Sequence, residues 1–182
     1  GLLLGSLLPG SGSRIGVRET GPVADHRIEA PDRLSPAERD AVLALVAATT
    51  PPDGSSPISE HVLMRLRQTG APSSPAAAGG RHVLAWSGDT LVGYSHLEPA
   101  GPDPASGWLA EATLSEPACA APLVQAIVER GGADVRIWGR GEDSVLSTVL
   151  PSLGFAPVRA LVQMRRPLDQ PLPDPVLPPE VT

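Results

Sequence analysis

Between Trp108 and Trp138 the chain reads strand, helix, strand, and that order admits few folds. Trp108 to Leu114 is a strand-like run, and Pro122 to Val128 continues as a helix whose end is marked by Gly131 and Gly132. Asp134-Val135-Arg136-Ile137-Trp138 is a second strand-like run. Two strands joined through a helix cannot close as a hairpin. The crossover sets them parallel in one sheet, with the helix on a face.

The segments around this unit extend the same architecture. His82-Val83-Leu84-Ala85-Trp86 and Leu91 to Leu97 are strand-like and are separated by Ser87-Gly88-Asp89-Thr90, which predicts an antiparallel hairpin. Upstream, Ser35-Pro36-Ala37-Glu38 is a capping box with proline in the first turn. Val42, Leu45, Val46 and Thr49 then share one helical face, and Thr50-Pro51-Pro52-Asp53-Gly54 ends the helix. A second helix opens near Ser59, turns Val62, Leu63 and Leu66 inward, and has Gly70 where a left-handed cap is needed. Val145 to Leu153 reads as a short helix and Val158 to Met164 as the last strand. Together these predict a single α/β domain with a mixed sheet.

Composition sets the limits of that domain. With 182 residues, 41% hydrophobic but only 3% aromatic, one core built from Leu, Val, Ala and Ile is expected. The 22 prolines and 19 glycines imply long turn-rich stretches. Residues 1–30 lack periodicity and read as a flexible tail, residues 31–167 as the domain, and residues 168–182 as an extended proline-rich linker. Residues 70–80, rich in Ala, Pro, Ser and Gly, read as a flexible loop. The leucine run at 2–8 is broken by Gly5 and Ser6 and is too short for a membrane span.

A net charge of −6 without clustered Lys and Arg disfavours nucleic acid as a partner, and Arg165-Arg166 reads as a solvated strand end. The single cysteine, Cys119, fits a reducing cytoplasm and reads as an inert buried thiol among Ala and Pro. His61 and His82 have no partners at metal-ligand spacing, so no metal is expected. His96 and Glu98 alternate onto one strand face as a polar pair. Glu111 on the central strand is either a base or an ordinary paired or solvent-facing carboxylate.

Several segments carry a family resemblance. Leu34-Ser35 with Glu38-Arg39, Thr49-Thr50 before Asp53-Gly54, Pro57 with Glu60 and Val62-Leu63, and Ile137-Trp138 with Gly141 form one part of it. Val162-Gln163-Met164-Arg165-Arg166-Pro167-Leu168, feeding a proline linker, forms the most specific part. Over residues 28–182 the chain resembles the N-terminal domain of the mycothiol synthases, a family built from two tandem GNAT acetyltransferase domains. Leu153-Gly154-Phe155 is similar to a triplet of the wider superfamily.

The resemblance implies transfer of acetyl from acetyl-CoA to the cysteinyl amine of cysteinyl-glucosaminyl-inositol, a small-molecule thiol precursor. It implies a C-terminal acetyltransferase domain as partner. Glu60 matches the family's substrate-contacting glutamate, and Ala112, Thr113 and Leu114 stand where the family's backbone pairs with the pantetheine arm. The family's diphosphate loop resembles Arg-x-x-Gly-x-Gly at a helix start, where free amides and the helix dipole favour anions. Here that place reads Leu114-Ser115-Glu116-Pro117-Ala118-Cys119-Ala120-Ala121-Pro122, without Arg or Gly. Leu150 stands in the place of the tyrosine that protonates the leaving thiolate. The expectation is therefore a half with no catalytic residues of its own and weak or absent CoA binding. Its alternatives are a stand-alone GNAT acetyltransferase acting on an unknown small amine, and a decayed fragment without function.

Overall fold

A computed structural model describes residues 2–7, 26–68, 80–140 and 145–161. Its elements in chain order are β1 (Leu2–Leu7), β2 (His26–Glu29), α1 (Pro36–Thr49), α2 (Glu60–Arg67), β3 (Arg81–Ser87) and β4 (Thr90–Pro99). They continue with β5 (Trp108–Leu114), α3 (Ala120–Gly131), β6 (Val135–Arg140), α4 (Val145–Val149) and β7 (Phe155–Leu161). The seven strands form one sheet in the order β2-β3-β4-β5-β6-β1-β7.

Local chemistry explains the boundaries. In α1 the Ser35 hydroxyl accepts the Glu38 amide at 3.2 Å and the Glu38 carboxylate accepts the Ser35 amide at 2.6 Å, so the capping box is complete. Serine hydrogen bonding holds Glu38 below the usual carboxylate range. β3 and β4 form the expected hairpin across Gly88 and Asp89, with Gly88 at φ 59. α3 ends at Gly132, whose φ of 80 suits only glycine comfortably. The segment expected as one helix from Val145 to Leu153 is α4 followed by a 3-10 turn, Leu150–Leu153. Pro151 lacks the amide that would continue the helical ladder.

The sheet is covered on both faces. α3 lays Leu123, Val124 and Ile127 against Val83, Ala85, Val92, Ala110, Ala112, Val135 and Ile137. On the other face α1 and α2 bury Val42, Leu45, Val46, Val62, Leu63 and Leu66 against Leu84 and Tyr94. Leu, Val, Ala and Ile do fill the interior, as a composition poor in aromatics requires. β5 and β6 are parallel, but their register stops at Glu111 with Trp138. On its other side β6 pairs with β1, which runs antiparallel to it from Leu2 opposite Arg140 to Ser6 opposite Arg136.

The expected tail over residues 1–30 needs correcting at two places. Leu2–Leu7 lies between β6 and β7, antiparallel to both. Those two strands are joined through α4 and leave one strand position between them, and exposed ladder groups on each side accept an extended apolar segment. His26–Glu29 is the edge strand beside β3. Ile28 is the one apolar residue of its four and packs against the core, too little for periodicity to reveal. All four residues pair with β3; Trp86 Nε1 also donates to Glu29 Oε2 at 3.0 Å, and Arg27 stacks over the Trp86 ring at 5.3 Å. The Gly70 cap, the 70–80 loop apart from Gly80, Arg165-Arg166 and the 168–182 linker lie outside the described residues.

Gly93 in β4 shows how close α3 approaches. A Cβ there would sit 3.0 Å from Cys119 Sγ, 3.1 Å from Ala85 Cβ and 3.3 Å from Leu123. Gly93→Val is expected to cost about 1–3 kcal/mol through overpacking. Chemical denaturation would show a lower midpoint with an unchanged slope.

Candidate functional site

The resemblance implies that a cofactor's arm would lie along β5, where it parts from β6. After the Glu111 and Trp138 pair, Ala112, Thr113 and Leu114 have no β6 partner in the register. Backbone groups released in this way can pair with an extended amide-bearing arm without any particular side chain. Ala112 and Thr113 are buried, and the Thr113 hydroxyl donates to Thr49 Oγ1 at 2.9 Å, which ties β5 to the end of α1.

The diphosphate end of the gap has a different chemistry. A 3-10 turn, Pro117–Cys119, runs directly into α3. The Cys119 amide donates to the Glu116 carbonyl at 3.2 Å, and the Ala120 amide donates to the Pro117 carbonyl. Pro117 and Pro122 carry no amide proton at all. The donors an anion would need at a helix start are thus mostly consumed or missing. The Glu116 carboxylate stands at the same turn, 3.3 Å from His26 Nε2, and repels phosphate where that pairing does not offset it.

Cys119 lies beside that turn but offers no nucleophile. It is fully buried against Gly93, and burial pushes its thiol up to about 11. Leu150, expected from the resemblance to stand in a tyrosine's place, is buried in the core with Leu153 and Phe155.

The opposite wall is polar, and sequence reasoning saw only pieces of it. His82, His96 and Glu111 are consecutive cross-strand partners on β3, β4 and β5. Glu111 is 8% exposed, and its Oε2 accepts the Ser59 amide at 2.5 Å. The open choice for Glu111 resolves toward a paired carboxylate that pins the start of α2. His82 Nδ1 lies 3.0 Å from the Tyr94 hydroxyl, and its ring is tilted against His96 at 5.3 Å. Burial, with His96 alongside, holds His82 down at about 4, while burial and then Glu111 raise Tyr94. His96 is 3% exposed, and neither ring nitrogen has a hydrogen-bond partner among the described residues.

Glu98 joins this wall to α2. His61 Nε2 lies 3.0 Å from it, Arg65 Nη1 donates to it at 3.3 Å, and His96 Nε2 stands 3.7 Å away. The expected His96 and Glu98 pair is thus present at ion-pair distance, and His61, expected to be without metal partners, bonds this carboxylate instead. No adjacency in the sequence links position 61 to 98, so only the packing of α2 on β4 reveals it. Glu60 opens α2 with its side chain 74% exposed and 3.9 Å from Arg67. The structure does not bring it to Glu98 or Glu111. Among the described residues no group of three or more His, Cys, Asp or Glu is placed to hold a metal ion.

A mixed sheet whose central parallel strands splay, with α3 behind the gap and α1 and α2 on the other face, defines a GNAT-like acyltransferase domain. A conserved Staphylococcus epidermidis protein described as functionally unknown shares the fold at a TM-score of 0.53 and 14% identity, over 86% of this chain and 57% of that one. No family profile matches the chain. Named relatives carry the assignment further. The mycothiol acetyltransferase of Thermobispora bispora is 38% identical over 147 residues, 80% of this chain and 47% of the relative. That of Acidothermus cellulolyticus is 38% identical over 165 residues, 87% and 48% of the two chains. That of Salinispora arenicola is 34% identical over 161 residues, 86% and 50%. The chain is a mycothiol synthase-like GNAT domain, and it spans about half the length of the curated relatives it matches.

The Glu98 carboxyl is held at about 2, first by the His96 ring 3.7 Å away and also by His61, against the opposing effect of burial. A depressed carboxylate contributes stability above its unfolded value, and that contribution is lost as pH falls through the folded one. Glu98→Gln is expected to lower stability by about 1–3 kcal/mol at neutral pH. Denaturation at stepped pH would show the gap between the two proteins closing as pH falls from about 4.5 toward 2.

Proposed function

We propose that this chain is the non-catalytic half of a mycothiol synthase, packing against a C-terminal acetyltransferase domain and completing its substrate cleft. The reaction of the whole protein is acetyl transfer from acetyl-CoA to the cysteinyl amine of cysteinyl-glucosaminyl-inositol, in the cytoplasm. The names of the relatives support the acetyl transfer. Among the described residues no helix is long and apolar enough to cross a membrane.

One observation carries the non-catalytic reading: the turn from Glu116 to Ala120 spends its own amides internally, so the start of α3 has little left for a diphosphate. Leu150 in the core adds to it, because no side chain there can protonate a thiolate. In this reading the backbone of Ala112, Thr113 and Leu114 keeps a weak contact with the thioester arm. Glu60 meets substrate from the outer side of α2, where its exposure leaves it open to a cleft shared with a second domain. A carboxylate there suits an ammonium or sugar hydroxyls.

The unpaired Ala112–Leu114 edge favours a second reading, a stand-alone acetyltransferase acting on a small amine. Calorimetry with acetyl-CoA separates the two. The proposed role predicts no saturable heat at micromolar concentrations, whereas tight stoichiometric binding supports the stand-alone enzyme. In the chain rejoined to a complete second domain, Glu60→Ala is expected to raise KM for the thiol precursor about tenfold, as losing a charge-assisted bond would. An unchanged KM removes Glu60 from the cleft.

A further inference from the structure

Ser59, His61 and Glu98 stand in a relation that the acetyl-transfer reading does not use. Ser59 is the residue before α2, where a serine hydroxyl ordinarily accepts an amide of the first turn. Here it makes no such cap. Its Oγ lies 2.9 Å from His61 Nδ1 instead, and the other ring nitrogen, Nε2, lies 3.0 Å from Glu98 Oε1. Hydroxyl, imidazole and carboxylate are therefore in line, the last of them 37 residues away on β4.

The surroundings fix each group. The Ser59 amide is held by the buried Glu111 carboxylate, and the preceding Ile58 is fully buried, so the hydroxyl projects from an anchored backbone. Glu98 is held ionised at about 2, and it also faces Arg65 on α2 and His96 on its own strand. With a proton on Nε2 directed at Glu98, Nδ1 is left as the acceptor for the Ser59 hydroxyl proton. The amides of Glu60, His61 and Val62 are those that an α-helix leaves without internal acceptors, and they lie beside the serine.

We propose that Ser59, His61 and Glu98 form a second, acyl-accepting site that cleaves small uncharged esters and thioesters. The Ser59 oxygen attacks the acyl carbon while His61 takes the hydroxyl proton. The bond from that carbon to the leaving oxygen or sulfur breaks, and His61 returns the proton to the leaving group. Water then attacks the Ser59 ester, His61 relays its proton back to Ser59, and a carboxylic acid departs. Ser59 and His61 are the catalytic residues, and Glu98 is a positioning residue that orients the ring. Glu60 and Glu98 disfavour anionic acyl groups. Met64, 55% exposed and one turn beyond His61, offers apolar cover for a short acyl chain. The proposal stands whether or not the chain binds acetyl-CoA.

A fluorophosphonate probe followed by peptide mass mapping reads the nucleophile directly, and p-nitrophenyl acetate turnover reads the reaction. The wild-type chain is expected to carry the label on Ser59. Ser59→Ala and His61→Ala are each expected to lose at least about tenfold in turnover. Ser59→Ala keeps the backbone amide that Glu111 binds, so its folding anchor is intact. Glu98→Gln is expected to lower kcat with KM unchanged, whereas a purely structural role would move both or neither. Label elsewhere or nowhere, or turnover in Ser59→Ala equal to wild type from ordinary surface imidazoles, would overturn the proposal.

Discussion

The parting of β5 from β6 decides what the rest of this domain can do. The two strands are fastened at one end, where the Trp108 amide donates to the Asp134 carbonyl at 3.1 Å and Arg136 donates to the Ser106 carbonyl at 2.6 Å. Gly107 allows that approach, since its φ of 75 and the adjacent Asp134 backbone leave no room for a side chain. Along its other side β6 pairs with β1 from Arg136 to Arg140, while β5 stays with β4 through Leu114. The divergence leaves Ala112, Thr113 and Leu114 of β5 without a β6 partner among the described residues.

An open edge beside a helix start is a good beginning for a cofactor site, yet the helix start here is spent on itself. Two prolines and a tight turn remove donors, and a carboxylate replaces the cation that phosphate would favour. The polar investment lies on the other side of the sheet. There Glu111 holds the Ser59 amide and Glu98 gathers His61, Arg65 and His96, so two carboxylates from adjacent strands fasten α2 to the sheet.

Much of this was legible before any coordinates. The capping box at Ser35, the turn at Gly88 and the crossover through α3 are local signals, and each forms where its residues say it should. The scarcity of free amides around Pro117 was legible too, because proline's missing amide is a property of the residue itself. Strands β1 and β2 were not, since their places depend on edges created by distant strands, and Ile28 alone cannot announce a strand. The linkage of Ser59, His61 and Glu98 was hidden for the same reason. His61 is isolated in the sequence and meets Glu98 only when α2 packs on β4. Glu60, chosen by resemblance, is placed by the structure at the surface, where geometry alone gives it no partner but Arg67.

The account turns on whether the start of α3 can hold a diphosphate. Backbone amide spectra of the isotope-labelled chain, recorded while adenosine 3′-phosphate 5′-diphosphate is added, read that turn directly. The account predicts that the amides of Ala118, Cys119, Ala120 and Ala121 stay unshifted up to millimolar ligand. Saturable shifts confined to those amides at micromolar ligand would contradict it.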